Sequence, residues 1–360
     1  VSTIDRAPAH TPAASDRTRD EVAALVAGRR SRHRRHATAT IVLGALLLVL
    51  FAVALMIGNT FYPLDEVIRV ILGETVPGAS FTVGELRLPR AVLAILAGFA
   101  FGIAGVSFQT LLRNPLASPD IIGISNGAGA AAVFGIIVLS LNGPIVSLLA
   151  LGGAIVTAGV IYLLSIKNGF AGTRLILIGI GVAAMLQSII SYMLSRAANW
   201  DIQTAMQWLT GSLNNASWER VMPLAIAAVI IVPLLLLQGR ALGAMQLGDD
   251  SASGLGVRVN TTRLLFILGA VALLAFATAA TGPIAFVAFM AGPIAARITG
   301  PGANLLVPSA FIGAVLVLGG DLIGQFAFGE RYPVGVITGV LGAPYLIYLL
   351  IRTNRSGGSL

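Results

Sequence analysis

"AVLAILAGFAFGIAGVSFQTLL", residues 91–112, contains no charged residue. Wound as an α-helix, it is long enough to cross the roughly 30 Å hydrocarbon core of a bilayer. The same pattern recurs on both sides of it. Ten apolar segments are expected to span the membrane: 37–58, 91–112, 121–141, 145–166, 172–194, 221–238, 264–281, 284–298, 304–325 and 334–351. Of the 360 residues, 56% are hydrophobic and only 11% are charged, against about a quarter charged in a soluble domain. So little charge cannot cover a water-exposed surface. The expected fold class is an all-α polytopic membrane protein with about ten transmembrane helices.

Segment 284–298 is short for a full crossing. It follows Gly282-Pro283 and is interrupted by Gly292-Pro293, which predicts a kinked or broken helix. Such breaks are tolerated where neighbouring helices or a cavity satisfy the backbone. Glycine, 42 residues in all, clusters inside the apolar runs as "AGFAFGIAG", "ISNGAGAAAVFG" and "LGGAIVTAG". Small residues let helix backbones approach closely in lipid, so these glycines read as packing positions rather than as a nucleotide loop.

An even number of crossings puts both termini on one side, and charge says which. The tail, residues 1–36, carries Arg6, Arg17, Arg19, Arg29, Arg30, Arg32, Arg34 and Arg35. A basic tail directly ahead of a first membrane helix is the positive-inside signal. Its cluster "GRRSRHRRH" (28–36) needs no nucleic acid to explain it, and none is expected as a partner. Arg113, Lys167, Arg174, Arg240, Arg258, Arg263, Arg297, Arg352 and Arg355 fall on the same side. The other side holds Arg69, Arg87, Arg90, Arg196, Arg220 and Arg331, mixed with Asp65, Glu66, Glu74, Glu85, Asp201, Glu219 and Glu330. The expected division is a cytoplasmic tail at 1–36, a lipid-embedded domain at 37–352 and a short cytoplasmic end at 353–360. The expected location is a bacterial cytoplasmic (inner) membrane.

Much chemistry is missing. There is no cysteine, and His10, His33 and His36 all lie in the tail. Thiolate and imidazole sites are thereby excluded from the apolar part. No catalytic residue, metal site or cofactor is expected in this chain. An ATP-binding loop would need G-x-x-x-x-G-K-[ST], and the one lysine, Lys167, is followed by Asn168. Ion-coupled carriers place ionisable groups near the membrane midplane. Asp321, in "LVLGGDLIGQF" (316–326), is the exception to charges at helix ends. It sits late in its segment and reads as a solvated or helix-end carboxylate. The chain resembles a pathway with no energy source of its own.

One polar stretch, "LGDDSASGLGVRV" (247–259), separates two apolar runs. It reads as a short cytoplasmic helix. Asp249 or Asp250 would cap its start and suit the helix dipole, and Gly254 and Gly256 would end it. Ala252, Leu255 and Val257 would form a small apolar face for docking. An ordinary loop with one helical turn would fit the same spacing.

The order of motifs carries a resemblance. "RLPRAVLAILAGFAFGIAGVSFQTLLRNPLASPDIIGISNGAGAAA" (87–132), "LGDDSASGLGV" (247–257), "TGPIAFVAFMAGPIAARITGPGANLLVPSAFIGAVLVLGGDLIGQ" (281–325) and "YPVGVITGVLGAPYLIYLL" (332–350) resemble, in that order, the permease subunits of iron-siderophore, haem and vitamin B12 ABC importers. The resemblance covers roughly 40–352 and leaves out the basic tail. It implies a type II importer permease fold of ten helices, paired so that the pathway follows the dimer interface. It also implies that the 247–257 loop meets a separate ATPase through Gly248, Asp249, Asp250, Ala252, Leu255 and Gly256. Arg87 and Arg90 of "RLPR" would receive acidic residues of a substrate-binding protein. A further outer arginine of some relatives falls at Gln325 here, with Arg331 as its substitute. A cytoplasmic gate would match Asn114, Leu116, Gly172 and Thr173.

The implied partners are a second, related permease, two ATPase subunits or domains that bind the ATP and Mg, and an extracytoplasmic substrate-binding protein. "RNPLASPDIIGIS" (113–125) resembles one half of a non-identical ferric-siderophore pair. Cobalamin or haem is the alternative cargo. An ion-coupled secondary transporter is the alternative from another class.

Overall fold

The computed structural model describes residues 13–120, 122–166, 172–300 and 304–355. Arg6, His10, Lys167, Asn168 and the last residues, 356–360, lie outside the described residues. Among the described residues every regular element is helical. In chain order they are α1 (Ala13–Met56), α2 (Leu64–Ile71), α3 (Ala79–Phe81), a π-helical turn (Thr82–Arg87), α4 (Leu88–Leu111), α5 (Ile124–Ile137), α6 (Pro144–Ser165) and α7 (Gly172–Arg196). There follow α8 (Asn199–Thr210), α9 (Trp218–Leu237), α10 (Gly239–Met245), α11 (Asp249–Gly254), α12 (Val259–Thr281), α13 (Val287–Thr299), α14 (Leu306–Phe326) and α15 (Val334–Arg355).

Each of the ten expected segments coincides with one helix. Eight are long and apolar enough to cross a membrane, while α5 and α13 are shorter apolar helices. At 1.5 Å per residue, α5 reaches only about 21 Å. Its start is displaced inward. Gly123 takes a left-handed φ of 93° at the helix entrance, against Ala183 in the middle of α7, and Asn126 Nδ2 donates to the Ala183 carbonyl at 3.1 Å. The chain between α4 and α5 therefore dips into the bundle before becoming helical. Hydropathy alone could not show this, because the inward position is set by contact with α7, a distant part of the chain.

At its other end the bundle meets the tail. α1 runs unbroken across residues 36 and 37, since Ala, Arg and Leu are all good helix formers. Arg35 donates to the carbonyls of Ile298 and Arg297 at 2.9 and 3.0 Å. These are among the last carbonyls of α13, which lack intrahelical partners. His36 Nε2 donates to Asn304 O at 2.9 Å. The base of the tail is thus stapled to the α13–α14 connection.

α4 is the most enclosed long helix and packs chiefly against α14, α12, α13 and α9. Gly98 and Gly313 explain its closest crossing. A Cβ on either would run into the backbone of the other helix, so α4 and α14 touch main chain to main chain, as small residues allow in lipid. By contrast, α7 exposes Leu177, Ile180, Met185 and Ile189, and α15 exposes Val340, Leu341, Ile347 and Ile351. These apolar faces suit lipid or a second subunit.

Candidate functional site

Two polar constructions cap the bundle, one on the face that carries the tail and one on the opposite face. The first is built on 247–257. Gly248 precedes the helix at φ 111° and α11 covers Asp249–Gly254. Its end is a Schellman motif. Gly256 sits at φ 84°, its N–H reaches Ser253 O at 2.9 Å, and the Val257 N–H reaches Ala252 O at 3.0 Å. The expected glycine stop is therefore present.

The expected acidic cap is not. No side chain caps α11. The Asp249 carboxylate turns back onto the bundle instead. Its Oδ1 accepts from Arg113 Nη2 at 2.5 Å and its Oδ2 from Arg263 Nη2 at 2.6 Å. The N-cap position falls on Gly248, which has no side chain to offer, and Asp249, one residue inside the helix, meets two ionised donors with both oxygens. The expected apolar face also divides. Ala252 is fully buried against the bundle, whereas Leu247 and Leu255 are each 67% exposed. Asp250 is exposed and Val257 partly buried.

Arg113 also fixes the residues behind it. Its φ is +49°, at a position where helices ordinarily place glycine. The bonds Asn114 N–H to Gln109 O (3.0 Å) and Arg113 N–H to Thr110 O (3.2 Å) close the end of α4. A left-handed arginine costs about 1–2 kcal/mol. What glycine could not supply is the side chain, which also donates from Nε to Met245 O at 3.0 Å. The end of α4 is thereby tied to α10, α11 and α12.

The four residues expected to form a gate lie beside this joint. Asn114 Oδ1 accepts the Leu116 N–H at 2.9 Å, a side-chain turn that sets the Asn-Pro-Leu segment. Gly172 packs on Leu112, where a Cβ would come within 2.8 Å of Leu112 Cδ2. Thr173, next to it, is exposed. The start of α7 and the end of α4 therefore meet.

Gln109, which the sequence reading passed over, contributes more to α13. Pro293 has no N–H, which orphans the carbonyl four residues earlier. That carbonyl belongs to Phe289, and Gln109 Nε2 donates to it at 2.9 Å. Gly292 gives the amide its room. The Gly292-Pro293 break is thus repaired from α4. A second overlooked residue, Asp120, lies in the dipping segment. Its Oδ1 accepts from Ser125 Oγ at 2.7 Å, and it lines a cavity of about 220 Å³ with Phe286, Phe289 and Leu346.

On the opposite face, Arg87, Arg90 and Arg331 line one cleft of about 440 Å³ with Asn59, Asn214 and Gln325. All three have partners within the chain. Arg87 donates to the carbonyls of Leu55, Met56 and Thr60 at 2.8, 2.9 and 2.6 Å, closing the end of α1, and its guanidinium lies 5.0 Å from the Tyr62 ring centre. Arg90 grips Asp321 through Nε and Nη2 at 2.8 and 2.7 Å and reaches Asn214 at 3.0 Å. Gln325 Nε2 adds a bond to Asp321 at 2.7 Å, and Arg331, which is exposed, donates to Asn59 Oδ1 at 3.0 Å. Asp321 is therefore neither solvated nor a simple helix-end acid; it is 2% exposed. A pair of this kind needs a partner far along the chain, which the local sequence does not show.

Comparisons with known proteins agree with this architecture. The chain is 40% identical to the ferric enterobactin transport system permease protein FepG of Escherichia coli (strain K12), over 81% of this chain and 88% of that one. It is 39% identical to the achromobactin transport system permease protein CbrC of Dickeya dadantii (strain 3937), over 93% and 98% respectively. Among solved structures, a metal-chelate type ABC transporter in an inward-facing conformation superposes with a TM-score of 0.78 at 22% identity, covering 88% of this chain and 99% of that one. That likeness establishes the fold. The model of the FecCD transport family matches residues 29–352. This multi-pass membrane protein belongs to the FecCD transport family.

Proposed function

We propose that this chain is the membrane-spanning permease subunit of an ATP-driven importer of ferric siderophore. It works as half of a dimer whose interface forms the pathway, in a bacterial inner membrane with the tail face in the cytoplasm. ATP and Mg are bound by a separate ATPase. Similar permeases are named for ferric enterobactin, achromobactin, ferric citrate and ferric hydroxamate, which supports a chelated iron cargo. FepG and FepD are two distinct permease proteins of one ferric enterobactin system, which supports a non-identical partner.

The observation that carries the reading is α11. It is a short helix with a fixed start and stop, two exposed leucines and a carboxylate tied to two arginines of the bundle. Leu247, Asp250 and Leu255 face the ATPase, while Asp249 transmits its movement to the ends of α4 and α12. Asn114, Leu116, Gly172 and Thr173 then part or close on the cytoplasmic side. On the outer side, the Arg87–Arg90–Arg331 cleft receives the substrate-binding protein, with Arg331 as its exposed cation. An ion-coupled carrier would need Asp321 open to its coupling ion, and the occupation of both carboxylate oxygens by Arg90 argues against that.

The experiment is uptake of radiolabelled ferric siderophores into proteoliposomes that hold this chain, its partner permease, the ATPase and the binding protein. Uptake should require ATP and every component. Uptake by this chain alone under an ion gradient would refute the proposal.

A further inference from the structure

On the outer face nearly every arginine has found a partner within the chain. Arg69 pairs with Glu74 at 2.6 Å, Arg196 lies over Tyr192, and Arg87, Arg90 and Arg331 are bonded as described above. Arg220, in the first turn of α9, differs. It is partly buried, yet its guanidinium makes no hydrogen bond or ion pair among the described residues. Glu219, its chain neighbour, does not pair with it. A partly desolvated guanidinium without an anion is unfavourable, and no acidic side chain among the described residues neutralises it.

Arg220 lines a cavity of about 110 Å³ with Asn142, Thr204, Gln207, Ser212 and Asn215. The lining offers one fixed positive charge, several neutral donors and no carboxylate. That set accepts a carboxylate, which can take a guanidinium fork and an amide N–H together. The size limits the choice. Pockets for whole small molecules run to about 300–1,000 Å³, so this one holds a side-chain carboxyl and not an intact ferric chelate.

Its position supplies the second argument. The segment Gly211–Ser217 is a wall between two cavities. Leu213, Asn214 and Ala216 face the Arg87–Arg90–Arg331 cleft, and Ser212 and Asn215 face the Arg220 cavity. Whatever docks over the first cleft reaches the second across a few residues of loop.

We propose that the Arg220 cavity receives an acidic side chain of the extracytoplasmic substrate-binding protein, as an anchor separate from the Arg87–Arg90–Arg331 cleft. This rests on the importer reading. The test uses the complete permease–ATPase complex in nanodiscs and measures its affinity for the binding protein, with and without cargo. Arg220→Gln should weaken capture about tenfold or more, Arg220→Glu should weaken it further, and Arg220→Lys should retain most of it. Empty and loaded binding protein should be affected alike. The melting temperature should not fall, since the variant removes a partly buried charge that makes no bond among the described residues.

Unchanged capture by Arg220→Gln would overturn the proposal. Weakening confined to the loaded protein would overturn it in favour of a carboxylate on the cargo. A lowered melting temperature with loss of the second permease would overturn it in favour of a structural role. A wild-type complex that captures no binding protein would defeat the importer reading itself.

Discussion

Arg90 and Asp321 bind each other through two contacts, at 2.8 and 2.7 Å, across the crossing of α4 and α14. Asp321 is almost wholly enclosed, with 3% of its side chain exposed, and Arg90 retains 19%. Both oxygens of the carboxylate are occupied, and Gln325 and Asn214 complete the network. The pair fastens the two helices whose glycines bring their backbones together.

Removing one partner should therefore cost more than removing both. Asp321→Ala leaves the Arg90 charge enclosed and should lower stability by about 3 kcal/mol. The double variant Arg90→Met, Asp321→Leu should recover most of that loss. Thermal unfolding in detergent measures both. A single variant as stable as the wild type would show that the pair does not hold α4 to α14.

Asp249 joins α11 to Arg113 and Arg263, and Leu255 faces outward. The two should therefore fail differently. The Asp249 contacts are half exposed on the Arg113 side, so together they are worth roughly 1–2 kcal/mol. Asp249→Ala should leave the ATPase bound but reduce iron taken up per ATP hydrolysed. Leu255→Asp should release the ATPase. Co-purification and the uptake-to-hydrolysis ratio separate the outcomes. Loss of ATPase binding in Asp249→Ala would mean that the aspartate is a contact and not a link.

Gln109 and Pro293 should be coupled. Gln109→Ala orphans the Phe289 carbonyl and should cost about 1–3 kcal/mol. In a Pro293→Ala background the new N–H can serve that carbonyl, so the same Gln109 change should cost much less. A double-mutant cycle on melting temperature reads the coupling. Strict additivity would refute the repair.

Gly256 should resist replacement although its side has open space. Its φ of 84° is left-handed, and nothing lies within 4 Å of a Cβ there. Gly256→Ala therefore meets strain without a clash and should cost about 1 kcal/mol, seen as faster hydrogen exchange of the Val257 amide. Unchanged exchange would mean that the Schellman end does not stabilise α11.

The legible part of this fold follows from lipid chemistry. A backbone in hydrocarbon must satisfy itself, so long apolar runs become helices and can be counted. The glycine stop of α11 was legible for a similar reason, since a left-handed end strongly favours glycine. The illegible part is long-range. Asp249 was expected to cap its own helix because Arg113, 136 positions away, is invisible to a local window. Asp321 was read as solvated because its partner is 231 positions away. The inward start of α5, set by Gly123 against Ala183, is a packing fact that no hydropathy profile contains. Gln109 was passed over because its role appears only beside a proline on another helix.

Coupling through α11 is tested most directly by replacing residues 249–255 with a flexible Gly-Ser linker in the reconstituted transporter. Iron uptake and ATP hydrolysis are then measured in the same proteoliposomes. Hydrolysis should continue or lose its dependence on the binding protein, while uptake is lost. Normal ATP-driven uptake with the linker in place would contradict the role assigned to α11, and with it the way this chain is thought to receive its energy.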